Sequence, residues 1–297
     1  MLRLGIDLGG TKTEIIGLNE DGRELLRKRV KTERGNYQAT LETITSLVTQ
    51  AEQTLGERAT VGIGTPGAVS PATGLMRNCN STWLNGQPLP RDVARHLGRD
   101  VRIENDANCF ALSEATDGAG QGHRVVFGVI LGTGVGGGIV VDGKLLSGPN
   151  RIAGEWGHNP LPWPRDDERP GPLCYCGQHG CIETFLCGPG LTRDHARHNG
   201  VELCAEEIVA AAQGEACSLA SIERYEERLA RALATVINVL DPDAIVLGGG
   251  MSNIARWYES VPRLWAQWVF SDRVDTPLLR HRHGDSSGVR GAAWLGI

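Results

Sequence analysis

The hydrophobic residues of this 297-residue chain repeat with two different periods, and these periods predict its elements. Residues 2–8 alternate apolar and other positions, which predicts a strand. The chain then turns back into a second apolar strand that ends at Leu18, and a third follows near Leu25 to Val30. From Tyr37 to Leu55 the apolar residues fall three or four apart, as on one face of a helix. The N-terminal part is therefore predicted to be a hairpin of strands followed by a helix.

The same sequence of elements returns further along the chain. A strand over Ala59 to Ile63 and a short one over Val101 to Ile103 lead into a helical pattern. A second hairpin is predicted over 125–146, a helix over 222–240 and a buried strand over Ala244 to Leu247. Strands that alternate with helices predict an α/β chain with mixed sheets, and two similar halves predict a cleft between them.

Length, charge and composition exclude several classes of protein. A chain of 297 residues is longer than one core usually supports, so we expect two domains. We place them at 1–116 plus 281–297 and at 117–280, with hinges near Gly118 to Gly122 and in the 280s. The net charge of −5 gives no basic field, which argues against nucleic acid or an anionic membrane as partner. No segment has the roughly 20 apolar residues of a membrane span, and Met1 leads directly into a strand, so a cytoplasmic protein is expected.

One tip motif occurs in both hairpins and predicts phosphate binding. Leu4 to Leu18 and Phe127 to Val141 each contain glycines and a threonine between two apolar strands. Such a tip brings bare backbone N–H groups close to an anion, and two tips could hold a polyphosphate from both sides. An ordinary glycine turn is the alternative for either copy alone. The predicted phosphate contacts are Gly9, Gly10, Thr11, Lys12, Gly132, Thr133 and Gly134.

Two further features fit a nucleotide. Asp7 stands beside the first tip, where a carboxylate suits Mg²⁺ held through water, because this cation prefers oxygen ligands. The tip is not a Walker motif, since no Gly-Lys-Ser/Thr opens a helix. Gly248, Gly249 and Gly250 follow a buried strand and would let a nucleotide approach closely, although a simple turn has the same pattern.

Asp106 is the candidate catalytic base. It follows a strand and begins a helix, where either Asn105 or Asp106 could instead be a simple N-cap. In phosphoryl transfer a carboxylate accepts the proton of the attacking hydroxyl and aims its oxygen at phosphorus. Asn105 would then hold a neighbouring hydroxyl.

Three cysteines and a histidine predict a zinc site. Cys174, Cys176 and Cys181 have C-x-C-x₄-C spacing, and His158 lies upstream. Three thiolates and an imidazole satisfy tetrahedral Zn²⁺ in number and type, and a cytoplasmic protein has little reason to form a disulfide here. We therefore predict a structural zinc ion.

The zinc site would also gather carboxylates. Glu155 precedes His158 by three residues and Glu183 follows Cys181 by two, so a shared metal would hold both near one place. Carboxylates that accept hydrogen bonds from several hydroxyls suit a polyol ligand. The charged run Arg165 to Arg169 is interpreted as a solvated flap.

At these residues the chain resembles the ROK family of sugar kinases and repressors, within the actin, hexokinase and heat-shock ATPase superfamily. The resemblance runs nearly end to end. Its motifs are LGIDLGGTKTE, GIGTPGAVSP, ENDANC, LGTGVGGG, AGEWGHNPLPW, CYCGQHGCIET, IVLGGGMS and HGDSSGVRGAAW.

The resemblance implies a two-domain actin-like ATPase fold of ribonuclease H type and ATP-dependent phosphorylation of a sugar. It implies Asp106 as base, a structural zinc on His158 and the three cysteines, and Mg²⁺ with ATP. The partners are expected to be sugar and ATP, in a homodimer. The implied sugar contacts are Gly67, Asn80, Asn105, Asp106, Glu155, His158 and Glu183.

Within the family, Asn80 to Pro88 (NSTWLNGQP) and the terminal HGDSSGVRGAAW look most like bacterial fructokinases of the manno(fructo)kinase kind. Phosphorylation of fructose at the 6-hydroxyl, possible also with mannose, is thus the expected activity. A glucokinase or an N-acetylhexosamine kinase is the alternative, because no single residue reads hydroxyl stereochemistry by itself. A sugar-responsive regulator is disfavoured, since the phosphate hairpin begins by Asp7. An inactive sugar sensor is disfavoured because Asp106 and both tips are present.

Overall fold

The computed structural model describes residues 1–284 and 287–296. Asp285 and Ser286, which belong to the terminal motif and to the expected second hinge, and Ile297 lie outside the described residues. The chain forms two compact units. The first comprises Met1–Gly122, Gly138–Ala153 and Arg282–Ile297, and the second comprises His123–Gly137 and Gly154–His281. Compared with the expected division, residues 117–122 and 138–153 belong to the first unit.

The α/β prediction with mixed sheets is confirmed. In chain order the elements are β1 (Arg3–Leu8), β2 (Lys12–Leu18), β3 (Glu24–Lys31), α1 (Tyr37–Leu55), β4 (Thr60–Thr65), β5 (Ala68–Val69), β6 (Met76–Arg77), α2 (Leu89–Leu97), β7 (Arg102–Asn105), α3 (Asp106–Thr116), β8 (Val125–Leu131), β9 (Val135–Val141), β10 (Lys144–Leu145), α4 (Ile182–Leu186), α5 (Gly188–Asn199), α6 (Ala205–Ala211), α7 (Ala216–Leu240), β11 (Ala244–Gly248), α8 (Trp257–Trp265), β12 (Leu278–Arg280) and α9 (Ser287–Trp294). Short 3₁₀ turns lie at Thr82–Leu84, Trp156–His158, Asp166–Glu168 and Gly250–Asn253.

Two five-stranded sheets repeat one plan. The first has the order β3-β2-β1-β4-β7, and the second has the order β10-β9-β8-β11-β12. In the first, β1 pairs antiparallel with β2 and parallel with β4. In the second, β10 pairs antiparallel with β9, whereas β11 is parallel to both β8 and β12. The hairpin duplication seen in the sequence is therefore a duplication of whole sheets.

Helix α9 lies unusually close to the first sheet and fixes the position of α3. A Cβ atom at Gly5 would lie 2.2 Å from the carbonyl oxygen of Val289, and one at Gly62 would lie 1.9 Å from that of Ala292. On its other side, a Cβ at Gly291 would lie 1.7 Å from the carbonyl oxygen of Cys109 in α3. Only glycine permits such backbone contact. The helix that begins with Asp106 is thus held against a rigid core.

The interpretation of Arg165 to Arg169 as fully solvated is wrong for Glu168. This side chain is buried and accepts hydrogen bonds from Arg228 Nε at 2.7 Å and Arg231 Nη2 at 2.7 Å. Burial alone would raise the pKa of Glu168, but the hydrogen bonds from Arg231 and Arg228 outweigh it and lower the pKa to about 2. The segment is consequently fastened to α7. The sequence of this charged run does not reveal that Glu168 pairs with arginines about sixty residues further along the chain.

Among the described helices, none combines the length and the apolar character needed to cross a lipid bilayer.

Candidate functional site

The first hairpin tip is a tight turn with several fixed backbone groups. Gly9 N donates to Lys12 O at 3.0 Å, and a Cβ at Gly9 would lie 2.7 Å from that same oxygen. Thr32, which follows β3, donates its hydroxyl to Gly9 O at 2.8 Å and exchanges a hydrogen bond with the Thr13 hydroxyl at 2.9 Å. Arg34 Nε donates to Gly10 O at 3.0 Å. The side chains of Thr11 and Lys12 face solvent at the tip.

Asn105 and Asp106 stand where β7 passes into α3. Asn105 Oδ1 accepts the backbone N–H of Asn108 at 2.6 Å, so Asn105 is the N-cap. Asp106 is the first residue of the helix, exposed, with Oδ1 2.8 Å from the backbone N of Ala107. The N-cap of α3 is therefore Asn105 and not Asp106.

Asp7 lies beside Asp106 within the first unit. Burial, followed by the nearby Asp106 and Glu14 carboxylates, raises the pKa of Asp7 from 3.8 to about 7, while Arg29 opposes them. Two neighbouring carboxylates that repel each other form the oxygen donor set that a divalent cation prefers. The residues present therefore fit Mg²⁺ brought in with a nucleotide.

The loops bearing Gly67 and Asn80 meet in the first unit. Gly67 has φ +98°, and a Cβ there would lie 2.5 Å from the carbonyl oxygen of Arg77. Asn80 is exposed, and the next residue, Ser81, is buried with its hydroxyl 3.2 Å from where a Cβ of Gly10 would lie. The loop predicted to touch sugar therefore abuts the first hairpin tip.

The second hairpin tip borders a groove in the second unit. Gly132 N donates to Gly134 O at 2.9 Å, and the backbone N of Gly188, at the start of α5, donates to Gly132 O at 2.8 Å. The groove has a volume of about 1190 Å³ and is lined by Gly132, Thr133, Gly188 and Gly250 among others. Clefts of this size hold ligands as large as nucleotides. The tip and the glycines after β11 are therefore brought together.

Gly249 has a different role from Gly250. It has φ +80°, and a Cβ would lie 2.4 Å from the carbonyl oxygen of Leu131. Gly249 thus lets the end of β11 pack against the end of β8, whereas Gly250 lines the groove. Gly248 is the last, buried residue of β11.

The predicted metal ligands converge in the second unit. His158, Cys174, Cys176 and Cys181 each offer a ligand atom, and these atoms lie within 4.8 Å of one another. Cys174 Sγ is 3.6 Å from His158 Nδ1, and Cys176 Sγ is 3.6 Å from Cys181 Sγ. A tetrahedron with Zn–S of about 2.3 Å and Zn–N of about 2.0–2.1 Å has edges of about 3.6–3.8 Å. The thiols are unlinked and the spacing fits zinc.

Tyr175 joins this cluster to the two predicted sugar carboxylates. His158 Nε2 lies 2.9 Å from the Tyr175 hydroxyl, so the ring nitrogen that does not face Cys174 pairs with the phenol. Burial, followed by the nearby Glu183 and Glu155 carboxylates, raises the pKa of Tyr175 to about 12. His158 therefore pairs with this hydroxyl, and both carboxylates are close enough to influence its pKa.

Glu183 also reaches the second hairpin. Its Oε2 accepts the backbone N–H of Val135 at 3.1 Å. Glu155 is exposed and precedes the 3₁₀ turn Trp156–His158. The two glutamates therefore differ in how firmly they are held.

Comparison with known proteins settles the family. The model of the ROK family matches residues 3–297. The chain belongs to the ROK family. The resemblance seen in the motifs is confirmed, and with it the fold class of an actin-like sugar kinase.

Relatives of this ROK protein include several N-acetyl-D-glucosamine kinases. It is 41% identical over 298 residues to an N-acetyl-D-glucosamine kinase of Photobacterium profundum, covering 99% of this chain and 98% of the relative. It is 42% identical over 306 residues to an N-acetyl-D-glucosamine kinase of Escherichia coli O139:H28, with 98% of each chain covered. These relatives give no support to the fructokinase resemblance drawn from Asn80 to Pro88.

Solved structures of ROK proteins share the fold. A ROK hexokinase of Thermus thermophilus has a TM-score of 0.89 and 30% identity, covering 100% of this chain and 98% of the other. A ROK family glucokinase of Streptomyces griseus, in complex with glucose and AMPPNP, has a TM-score of 0.77 and 30% identity, covering 100% and 99%.

Several residues of this ROK site have no signal in the sequence. Thr32 lies outside the hairpin motif, and only strand pairing brings it to Gly9. Tyr175 stands between two predicted ligands, yet its contact with His158 depends on how the loop folds. The groove lining from α5, at Gly188 to Arg193, carries no charge pattern that marks it.

Proposed function

We propose that this ROK protein is an ATP-dependent kinase that phosphorylates the 6-hydroxyl of N-acetyl-D-glucosamine. The observation that carries a phosphotransferase is the placement of Asp106 beside Asp7 in one unit, next to a glycine hairpin. The choice of sugar is supported by relatives more than 40% identical across nearly their whole length that are N-acetyl-D-glucosamine kinases.

In the proposed reaction Asp106 acts as general base. Its exposed carboxylate accepts the proton of the sugar hydroxyl as that oxygen forms a bond to the γ-phosphorus, and the bond from phosphorus to the β-phosphate oxygen breaks. Asn105 uses Oδ1 to cap α3, so its contact with a neighbouring hydroxyl comes from Nδ2. Bound Mg²⁺ supplies charge neutralisation of the phosphates, and Asp7 would hold it through water.

The remaining predicted residues have assigned parts in the proposal. The N–H groups of Gly9 and Gly132 are used inside the two turns, so the proposed phosphate donors are the backbone N–H groups of Gly10 to Lys12 in the first tip and of Thr133 and Gly134 in the second. Gly250 borders the groove that takes the nucleoside, and Gly248 and Gly249 shape its approach. The proposed sugar contacts are Gly67, Asn80, Asn105, Asp106, Glu155, His158 and Glu183. The proposed zinc ligands are His158, Cys174, Cys176 and Cys181.

A panel of sugars tests the proposal. ADP release is followed by a coupled assay with Mg-ATP and N-acetyl-D-glucosamine, glucose, mannose or fructose. We expect kcat/KM for N-acetyl-D-glucosamine to exceed that for each other sugar by at least about tenfold, because a site built for an acetamido group leaves polar groups unpaired with other sugars. A higher value for fructose would restore the fructokinase interpretation. Absence of sugar-dependent ADP release would reject the kinase.

The control for this panel is a mock preparation from cells that lack this protein, purified and assayed in the same way. Any rate in the mock preparation measures contaminating kinase and is subtracted.

A further inference from the structure

The start of β9, just after the second hairpin tip, is held by both segments that carry metal ligands. Glu183, two residues after Cys181, accepts the N–H of Val135 at 3.1 Å. Trp156, two residues before His158, donates its indole N–H to Gly136 O at 3.1 Å. Consecutive residues of one strand are therefore fixed from the two ends of the metal-binding loop, which we define as residues 154–183.

Close backbone packing reinforces these two hydrogen bonds. A Cβ at Gly157 would lie 2.6 Å from the carbonyl oxygen of Val135, and a Cβ at Gly137 would lie 2.6 Å from that of Gly154. A Cβ at Gly134 would lie 2.8 Å from Glu183 Oε2. The hairpin and the metal-binding loop thus touch without room for side chains between them, so a shift of one displaces the other.

The carboxylate of Glu183 spans both features. Its Oε2 accepts from Val135, and its Oε1 lies 3.7 Å from Cys174 Sγ, one of the four clustered ligands. Trp156 is only 5% exposed and packs edge-on against Phe127 of β8, with ring centroids 5.7 Å apart. Neither side chain is free to adjust independently of the strands.

We propose that Glu183 and Trp156 are positioning residues that couple the order of the metal-binding loop to the second hairpin, so that nucleotide affinity depends on metal occupancy. This rests on the proposed phosphate contacts of Gly132 to Gly134. It differs from a purely sugar-binding role of Glu183, which would leave nucleotide affinity unchanged. Metal binding would then support the nucleotide site as well as the sugar site.

Hydrogen–deuterium exchange on the full-length protein tests the coupling without any catalytic readout. Zinc content is measured, the metal is stripped with a chelator, and exchange is compared at amides 133–137 and at amides 8–13. We expect exchange at 133–137 to accelerate at least about tenfold, since a lost support lowers the free energy of local opening. Exchange at 8–13 should stay the same, because the side chains that hold the first tip are Thr32 and Arg34 of the first unit. Unchanged exchange at 133–137 with the metal gone would overturn the proposal.

Substitutions give a second test that does not require stripping. Binding of Mg-AMP-PNP without sugar is measured by calorimetry for Glu183→Ala, Glu183→Gln and the exposed control Glu259→Gln. We expect about a tenfold weaker Kd for the alanine variant, the size of a hydrogen bond to a charged acceptor. We expect the glutamine variant to stay within about threefold of wild type, because its amide oxygen can still accept the Val135 N–H.

The outcomes separate this proposal from the proposed function. Equal nucleotide affinity of Glu183→Ala and wild type, with melting temperature and zinc content preserved, would overturn the coupling. If the wild-type protein itself bound no Mg-AMP-PNP, the proposed function would fail, whereas the exchange experiment would still decide whether metal orders residues 133–137.

Discussion

The two hairpins share a backbone plan but are supported in different ways. The first tip is held by Thr32 and Arg34, which follow the next strand of the same sheet. The second tip is held by Glu183 and Gly188, which lie about fifty residues further along the chain. Although the hairpins are duplicated, the hydrogen bonds that hold their tips are therefore made by residues at different positions in the chain. The first tip is a local structure, and the second depends on long-range contacts.

The two units also differ in the reactive side chains that they contain. The first unit contains Asp7 and Asp106, and burial together with repulsion from Asp106 raises the pKa of Asp7. The second unit contains the Cys₃His cluster and the groove beside Gly250. In the proposed function, proton transfer and magnesium therefore belong to the first unit, and the zinc ion belongs to the second.

The largest expected effect comes from Asp106→Asn. The amide cannot accept the hydroxyl proton, so kcat should fall by at least about 10³-fold, while Kd for Mg-AMP-PNP and for sugar change by less than about threefold. Single-turnover kinetics and calorimetry measure both. Asp100→Asn, on an exposed residue, is the matched control. A variant that retained more than about a tenth of the rate would rule out Asp106 as the base.

Asp7→Asn should act on both activity and the pH dependence of stability. The folded pKa of about 7 exceeds the ordinary 3.8, so between these values the folded protein keeps a proton that the unfolded chain has released. Stability of the ligand-free protein therefore falls as pH rises through this window. Asparagine does not ionise, so the melting temperature of the variant should fall less than that of wild type between pH 5 and pH 8. Its kcat should drop about 100-fold because magnesium is lost.

Melting curves at several pH values, without magnesium, check the stability part. Parallel Tm profiles for wild type and Asp7→Asn would show that Asp7 does not titrate in this window.

A smaller effect is expected when the local support of the first tip is removed. Thr32→Val keeps the shape but loses the hydroxyl that donates to Gly9 O and pairs with Thr13. A lost hydrogen bond of about 1 kcal/mol should raise KM for ATP roughly fivefold and speed amide exchange at 9–13. Thr32→Ser, which keeps the hydroxyl, is the control. Faster exchange at 133–137 as well would contradict the independence of the two hairpins.

The sequence predicts local features of this protein well. Helix α1 has the predicted bounds of Tyr37 and Leu55, because its apolar spacing decides its structure without help from elsewhere. The same holds for both hairpins, whose strands are consecutive. The convergence of His158 with the three cysteines also agrees with the sequence, since ligand type and spacing constrain a zinc site strongly.

Contacts that depend on tertiary packing were not predictable. Glu168 looks solvated in a charged run, yet Arg228 and Arg231 neutralise it in the interior. Glu183 was expected at the sugar, and its bond to Val135 emerges only when α4 packs beside β9. The hexose itself was assigned through Asn80 to Pro88, a short loop whose composition says little about the shape of a pocket.

The groove beside Gly250 is lined entirely by residues of the second unit, whereas Asp106 belongs to the first. If the groove takes the purine ring, substitutions that alter preference between adenine and guanine can accumulate there without touching the carboxylate that moves the proton. Evolution can then change which nucleoside triphosphate donates the phosphate in small steps, each of which leaves an active enzyme.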